Sequence, residues 1–290
     1  MCDESIAPAE EADFAGSGLD RRQFSLLGAG LVLAGCSRSG AQDGGSRVSE
    51  RMVAITTPDG VADAFFVHPA EGAHPGVVMW PDIAGLRAAF KIMARTLAAE
   101  GYAVLVVNQY YRGGPAPVLE SFAQWRTPEG QAKIAPMRER LTPDAITRDA
   151  ASFVAFLDGV EAVDKSRRIG SSGYCMGGPF TVRTAAAAPG RVGAAASLHG
   201  GGLVTDEPDS PHRLLARTKA SYLFAIARND EEKDPAVKDK LRAAAEAAGR
   251  PAHVEVYAAD HGWCVPDSPA WDPSQADQAW KDVLELFAKL

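Results

Sequence analysis

The sequence places this chain in the α/β class, with a mostly parallel central sheet covered by helices on both faces. Two observations carry that expectation. From residue 76 onward, short apolar strands alternate with helical stretches of ten or more residues, a rhythm in which crossover helices bury both faces of a parallel sheet. The chain has 290 residues, 46% of them hydrophobic and 23% charged, enough apolar material for one domain of roughly 250 residues.

The first segment reads as an address rather than as structure. Asp20-Arg21-Arg22-Gln23-Phe24 opens a mostly apolar stretch of thirteen residues, 23–35. A membrane span needs about 20, so a twin-arginine export signal fits better. Its end, Leu33-Ala34-Gly35-Cys36, is similar to the bacterial lipobox, in which the cysteine is lipidated and becomes the new N-terminus. The expectation is a signal over residues 1–35 and a periplasmic or cell-envelope protein held to a membrane through the lipid anchor on Cys36 alone. The remainder carries 31 acidic and 28 basic side chains, a formal net charge of −3, and so offers no basic field for nucleic acid. Cys2 falls in the discarded segment and Cys36 is the lipidation candidate. The remaining pair, Cys175 and Cys264, does not make a disulfide scaffold.

Residues 36–49 are small and polar, as a flexible tether should be, and the folded domain is expected over 50–290. Residues 52–57 and 62–68 flank Pro58-Asp59-Gly60 and predict a hairpin. Strands are then predicted at 76–80, 103–108, 168–172, 193–198, 221–227 and 252–257, with helices at 87–100, 143–159, 176–187, 236–248 and 274–290. Residues 113–142, rich in Pro, Gly, Gln and Arg with an isolated Trp125, break the rhythm and predict an excursion over the site or the sheet edge. In such a sheet the working residues gather at the carboxyl ends of the strands.

One strand end carries Gly173-Tyr174-Cys175-Met176-Gly177-Gly178. A strand, a sharp turn permitted by glycines two residues either side, and a helix would lift Cys175 into the open as a nucleophile. The helix N-terminus would favour thiolate over thiol. Ser172 is the rival nucleophile, but its spacing demands glycine where Tyr174 stands. A nucleophilic cysteine needs a histidine to take its proton and a carboxylate to orient that histidine. Asp230 follows the strand at 221–227 and His261 follows the strand at 252–257, in the order this fold class uses; Asp234 is the fallback acid. Oxyanion donors are expected from the backbone N–H of Met176 and from Ile83 in Pro81-Asp82-Ile83-Ala84-Gly85. His199-Gly200-Gly201-Gly202 is similar to the oxyanion loop of lipases but follows the nucleophile instead of preceding it, so His199 is either a substrate contact or a packing residue. Cys264 is either a small buried side chain or, after export, a partner for a switching disulfide with Cys175. His261 and Cys264 lack a second close ligand pair, and no metal is expected.

These residues, with the turn Asp260-His261-Gly262-Trp263, give the chain a resemblance to the dienelactone hydrolase family of α/β-hydrolases, the carboxymethylenebutenolidases, over roughly residues 50–290. The resemblance implies an α/β-hydrolase fold, hydrolysis of lactone or ester bonds through an acyl-thioenzyme, a triad of Cys175, His261 and Asp230, an oxyanion hole from Ile83 and Met176, and no cofactor. It also implies substrate contacts at Asp82, which stands where the family has a thiol-bonded glutamate, and at Arg112, which matches a carboxylate-binding arginine. His199 and Trp263 complete the expected substrate-binding set. Val265 stands where a second carboxylate-binding arginine would be, which predicts tolerance of neutral substrates. The expected partner is a small ester or lactone, bound by a monomer; a general carboxylesterase or thioesterase, or an inactive tethered binding protein, are the competing readings.

Overall fold

A computed structural model describes residues 47–290. The expected export signal, the Cys36 lipidation site and most of the tether lie outside the described residues. Two antiparallel strands open the fold, β1 (Val48–Thr57) and β2 (Gly60–Pro69), in register from Val48 opposite Pro69 to Thr57 opposite Gly60. Val48 and Ser49 therefore belong to β1, not to a tether ending at residue 49. Val48 packs against the core cluster that includes residues of the helices Ala88–Ala99 and Pro273–Phe287, and Ala70 N–H closes the ladder on Arg47 O at 2.7 Å.

The chain then runs through β3 (Gly76–Trp80), α1 (Ala88–Ala99), β4 (Ala103–Val107), α2 (Phe122–Trp125), α3 (Pro128–Arg138), α4 (Pro143–Gly159), β5 (Ile169–Tyr174) and α5 (Gly178–Ala187). It ends with β6 (Val192–Leu198), α6 (Pro211–Leu214), β7 (Ser221–Ala227), α7 (Arg228–Lys233), α8 (Val237–Ala248), β8 (Ala252–Tyr257) and α9 (Pro273–Phe287). The eight strands form one sheet in the order β1-β2-β4-β3-β5-β6-β7-β8. Every pairing from β4 to β8 is parallel; β1 with β2 and β2 with β4 are antiparallel.

Both faces are covered, which is why β3, β4 and β5 are buried at every residue. Alternate side chains enter opposite cores, as the period of two requires. Val78, Trp80, Leu105 and Val107 pack with residues of α4, α5 and α8, whereas Val77, Met79, Val104 and Val106 pack with α1 and α9. Among the described residues no helix is long and apolar enough to cross a membrane.

The excursion at 113–142 contains α2 and α3, which an apolar-periodicity reading misses. Their signal is local: Thr127 Oγ1 accepts Gly130 N–H at 3.1 Å, Pro128 opens α3 and Glu129 sits in its first turn, a helix start without an amphipathic stripe. The excursion folds over the carboxyl ends of the strands. Its Val118, Leu119 and Ile134 are buried against Ala84 and Tyr110, with Ile83 and Met176 packed on the same cluster.

Candidate active site

At the end of β5 the chain reverses through a single helical turn, Cys175–Gly177, into α5. Cys175 has φ 53°, a left-handed conformation that non-glycine residues rarely adopt and that marks functional turns. The flanking glycines are required by close approach. A Cβ on Gly173 would lie 2.1 Å from Gly177 O, and one on Gly177 would lie 2.5 Å from Trp80 O and 2.6 Å from Pro81 O. The elbow is thus pressed against the end of β3, where the loop carrying Ile83 begins. Met176 stands in the first helical turn, where amides have no intrahelical acceptor.

The two groups expected to serve Cys175 are brought together. β7 runs directly into α7, so Asp230 sits on a helical turn rather than in an open loop. His261 lies in the turn after β8, its N–H donating to Asn229 Oδ1 at 2.8 Å. Its Nδ1 lies 2.6 Å from Asp230 Oδ2, and the ring lies close enough to Cys175 for the two to interact electrostatically. Burial disfavours charge on His261, but the bond to Asp230 and the nearby Cys175 outweigh it and hold the imidazolium well above the ordinary histidine range. Asp234, the fallback acid, is turned elsewhere: it caps α7, its Oδ1 accepting Ala236 N–H at 3.2 Å.

Four residues expected to touch substrate are placed differently. The Asp82 carboxylate is held by Arg87, with Nη1 to Oδ1 at 2.7 Å and Nη2 to Oδ2 at 3.0 Å, while Oδ1 also accepts Ala84 N–H. Arg112 is committed to carboxylates of this chain, to Asp149 at 2.7 and 2.8 Å and to Asp59 at 2.6 Å, because α4 brings Asp149 beneath the end of β4. Trp263 is completely buried, stacked on Tyr257 with ring centroids 5.1 Å apart. His199, 1% exposed, lies behind Cys175 and accepts its N–H on Nδ1. Burial and the neighbouring His261 push its pKa well below the ordinary value. Val265 is buried beside Trp263, and so is Cys264, a free thiol that burial pushes well upward.

Residues that sequence reasoning missed hold the Ile83 loop. Tyr110 donates to Ile83 O at 2.8 Å and lies 3.9 Å from Met176 Sδ, so one hydroxyl touches both residues expected to supply oxyanion donors. Gln109 Nε2 donates to Asp82 O at 2.8 Å. Their only sequence signal is a polar run, Asn108-Gln109-Tyr110, directly after an apolar strand. Among the described residues no group of three or more His, Cys, Asp or Glu side chains could hold a metal ion.

The model of the dienelactone hydrolase family matches residues 62–290. A Methylorubrum extorquens protein provisionally named carboxymethylenebutenolidase is 31% identical over 242 residues, covering 81% of this chain and 79% of its own. The Rhodococcus opacus carboxymethylenebutenolidase is 25% identical, covering 75% of this chain and 82% of its own. Among solved structures, a protein from Klebsiella pneumoniae provisionally named dienelactone hydrolase superposes with a TM-score of 0.72 at 20% identity, covering 84% of this chain and 100% of that one. A dienelactone hydrolase-like promiscuous phosphotriesterase from metagenomic libraries superposes at 0.69 with 21% identity, covering 84% of this chain and 98% of that one. At such identities the structural likeness speaks for the fold alone.

Proposed function

Because this chain belongs to the dienelactone hydrolase family of α/β-hydrolases, and is a hydrolase of ester or lactone bonds, we propose that it works through Cys175 as nucleophile and an acyl-thioenzyme. The observation that carries this reading is the hydrogen bond from Asp230 to His261, with His261 beside Cys175 at the apex of a strained elbow.

The sulfur of Cys175 attacks the acyl carbon, and the carbonyl electron pair moves to oxygen. That oxyanion takes hydrogen bonds from the N–H groups of Met176 and Ile83, and one such donor contributes about 3 kcal/mol to the transition state. Collapse breaks the acyl C–O bond while His261 gives its proton to the leaving oxygen. Water, deprotonated by His261, then attacks the thioester and releases the acid, restoring the starting pair. Asp230 keeps the ring oriented and its positive charge compensated.

The substrate class we propose is a neutral ester or lactone. Arg112 is occupied by Asp149 and Asp59, position 265 is a buried valine, and the elements around Ile83 and Met176 present Phe122, Trp125 and Met137, an apolar surround that does not reward a substrate carboxylate. We further propose, on Arg21-Arg22 and the lipobox ending in Cys36, that the enzyme is an exported lipoprotein acting as a monomer. Metabolic labelling with palmitate, lost in Cys36→Ala, tests the anchor, and sedimentation of the mature domain tests the monomer.

A chromogenic ester tests the reaction. The expected result is a burst of leaving group stoichiometric with enzyme, abolished by prior alkylation; absence of a burst with unchanged turnover after alkylation would count against the thiol.

A further inference from the structure

Arg87 precedes α1 and is 1% exposed, yet all five of its N–H donors have acceptors. Nη1 donates to Asp82 Oδ1 at 2.7 Å and to Gly85 O at 3.1 Å; Nη2 donates to Asp82 Oδ2 at 3.0 Å and to Asp267 Oδ1 at 2.6 Å; Nε donates to Asp267 Oδ2 at 2.8 Å. One guanidinium thus grips two carboxylates, one 5 and the other 180 residues away in sequence. Each carboxylate does a second job. Asp82 Oδ1 accepts Ala84 N–H at 2.9 Å, on the far side of Ile83, and Asp267 Oδ2 accepts Phe122 N–H at 2.9 Å, at the first residue of α2.

Three segments therefore meet on Arg87: the loop of Ile83, the chain that follows His261, and the start of the excursion over the site. Burying a cation with two anions is a poor way to gain stability, since apolar side chains of similar volume often do as well. What apolar packing does not provide is a bidentate register on two edges of one rigid plane. Register matters here because a misplacement of about 1 Å in a group aligned with the reacting atoms costs on the order of a hundredfold in rate.

We propose that Arg87 is a positioning residue for the hydrolysis: through Asp82 it fixes the Ile83 amide, and through Asp267 it holds the first residue of α2, and with it the excursion, on the same frame. The proposal rests on the reading of Ile83 as an oxyanion donor and Cys175 as nucleophile. Arg87→Lys keeps the charge and removes the fork. Its kcat on a neutral chromogenic ester falls at least tenfold while KM stays within about threefold, and affinity for a trifluoromethyl ketone, which forms an oxyanion on the thiol, falls in parallel with kcat. Alkylation of Cys175 by iodoacetamide, which needs no oxyanion donor, keeps a rate within about twofold of the wild type. An Arg87→Lys protein that folds and retains kcat within twofold, or that loses alkylation as steeply as turnover, overturns the proposal. If Arg87→Lys does not fold, Asp267→Asn, which leaves the Asp82 pair in place, carries the test: kcat down threefold or more with alkylation unchanged supports it, and unchanged kcat overturns it. Turnover by Cys175→Ala would instead sink the nucleophile reading, whatever the Arg87 variants do.

Discussion

The backbone N–H of Cys175 donates to Nδ1 of His199 at 3.0 Å, and these two are the non-glycine residues with positive φ among those described, at 53° and 41°. Two strained residues at the ends of neighbouring strands thus hold each other, each conformation costing on the order of 1 to 3 kcal/mol. The acceptor must lack a proton, so His199 is neutral with its hydrogen on Nε2. Replacing it by alanine leaves a buried amide unpaired, a loss of about 1 to 3 kcal/mol. His199→Ala should lower kcat roughly tenfold with little change in KM. His199→Asn, which tolerates a left-handed backbone and supplies an acceptor, should recover part of it. Nitrogen NMR should find Nδ1 unprotonated from about pH 6 to 8; protonation there would contradict the assignment.

The His261 imidazolium predicts the alkaline limb of the pH profile. Its folded pKa is raised, so the charged ring persists through neutrality and turnover declines only when pH rises through that raised value. By the same sign, the stability that the charged ring contributes is fully present below its unfolded pKa and lost as pH rises through the folded one. Asp230→Asn removes the hydrogen-bonded anion and should move the alkaline limb of kcat/KM to lower pH, whereas Asp234→Asn should leave it in place. A limb that moves with Asp234 instead would exchange the two acids.

Charge selectivity follows from Arg112. With its guanidinium on Asp149 and Asp59, Arg112→Ala should not change the ratio of kcat/KM between a neutral ester and an acidic analogue of the same size, and the neutral one should be turned over at least as well. The variant should instead lose about 3 kcal/mol of stability, because Asp149, 1% exposed, is left as a buried carboxylate without its cation. Matched substrates and denaturant melts separate the two effects; a preference for the acid that Arg112→Ala abolishes would restore the carboxylate-binding role.

Thiol reactivity divides the two described cysteines. Cys175 is partly exposed at the elbow, and Cys264 is buried beside Trp263 and Val265 with its thiol pushed up by burial. Iodoacetamide on the folded domain should add one group, on Cys175, and Cys264 should react only after denaturation. Activity that oxidant suppresses and reductant restores in wild type but not in Cys264→Ala would contradict this and support a Cys264 switch.

The sheet and the Cys175, Asp230 and His261 positions were legible because each is written locally. Apolar strands such as 221–227 are unbroken, since both faces of the sheet are covered, and the elbow carries its own glycines. The contacts of Asp82 and Arg112 were not legible. Whether an acidic or basic side chain meets substrate or another residue depends on partners 5 to 180 positions away, and neither Arg87 with Asp267 nor Arg112 with Asp149 has a spacing that announces it. Trp263 was misplaced for a related reason: its neighbour His261 reaches the site, but the turn points the indole inward onto Tyr257. Helix α3 escaped because its start is marked by Thr127-Pro128 while its body lacks an apolar stripe.

The nucleophile is tested most directly by trapping the acyl group. The protein is mixed with a slowly turned over activated ester, quenched in acid, and digested with trypsin, which releases residues 169–183 as one peptide holding a single cysteine. The account predicts a near-stoichiometric acyl mass on that peptide, localised to Cys175 by fragmentation, removed by hydroxylamine and absent from Cys175→Ala, which should keep less than about a tenth of wild-type kcat/KM. An acyl group on Ser172, or turnover by Cys175→Ala above that level, would contradict it.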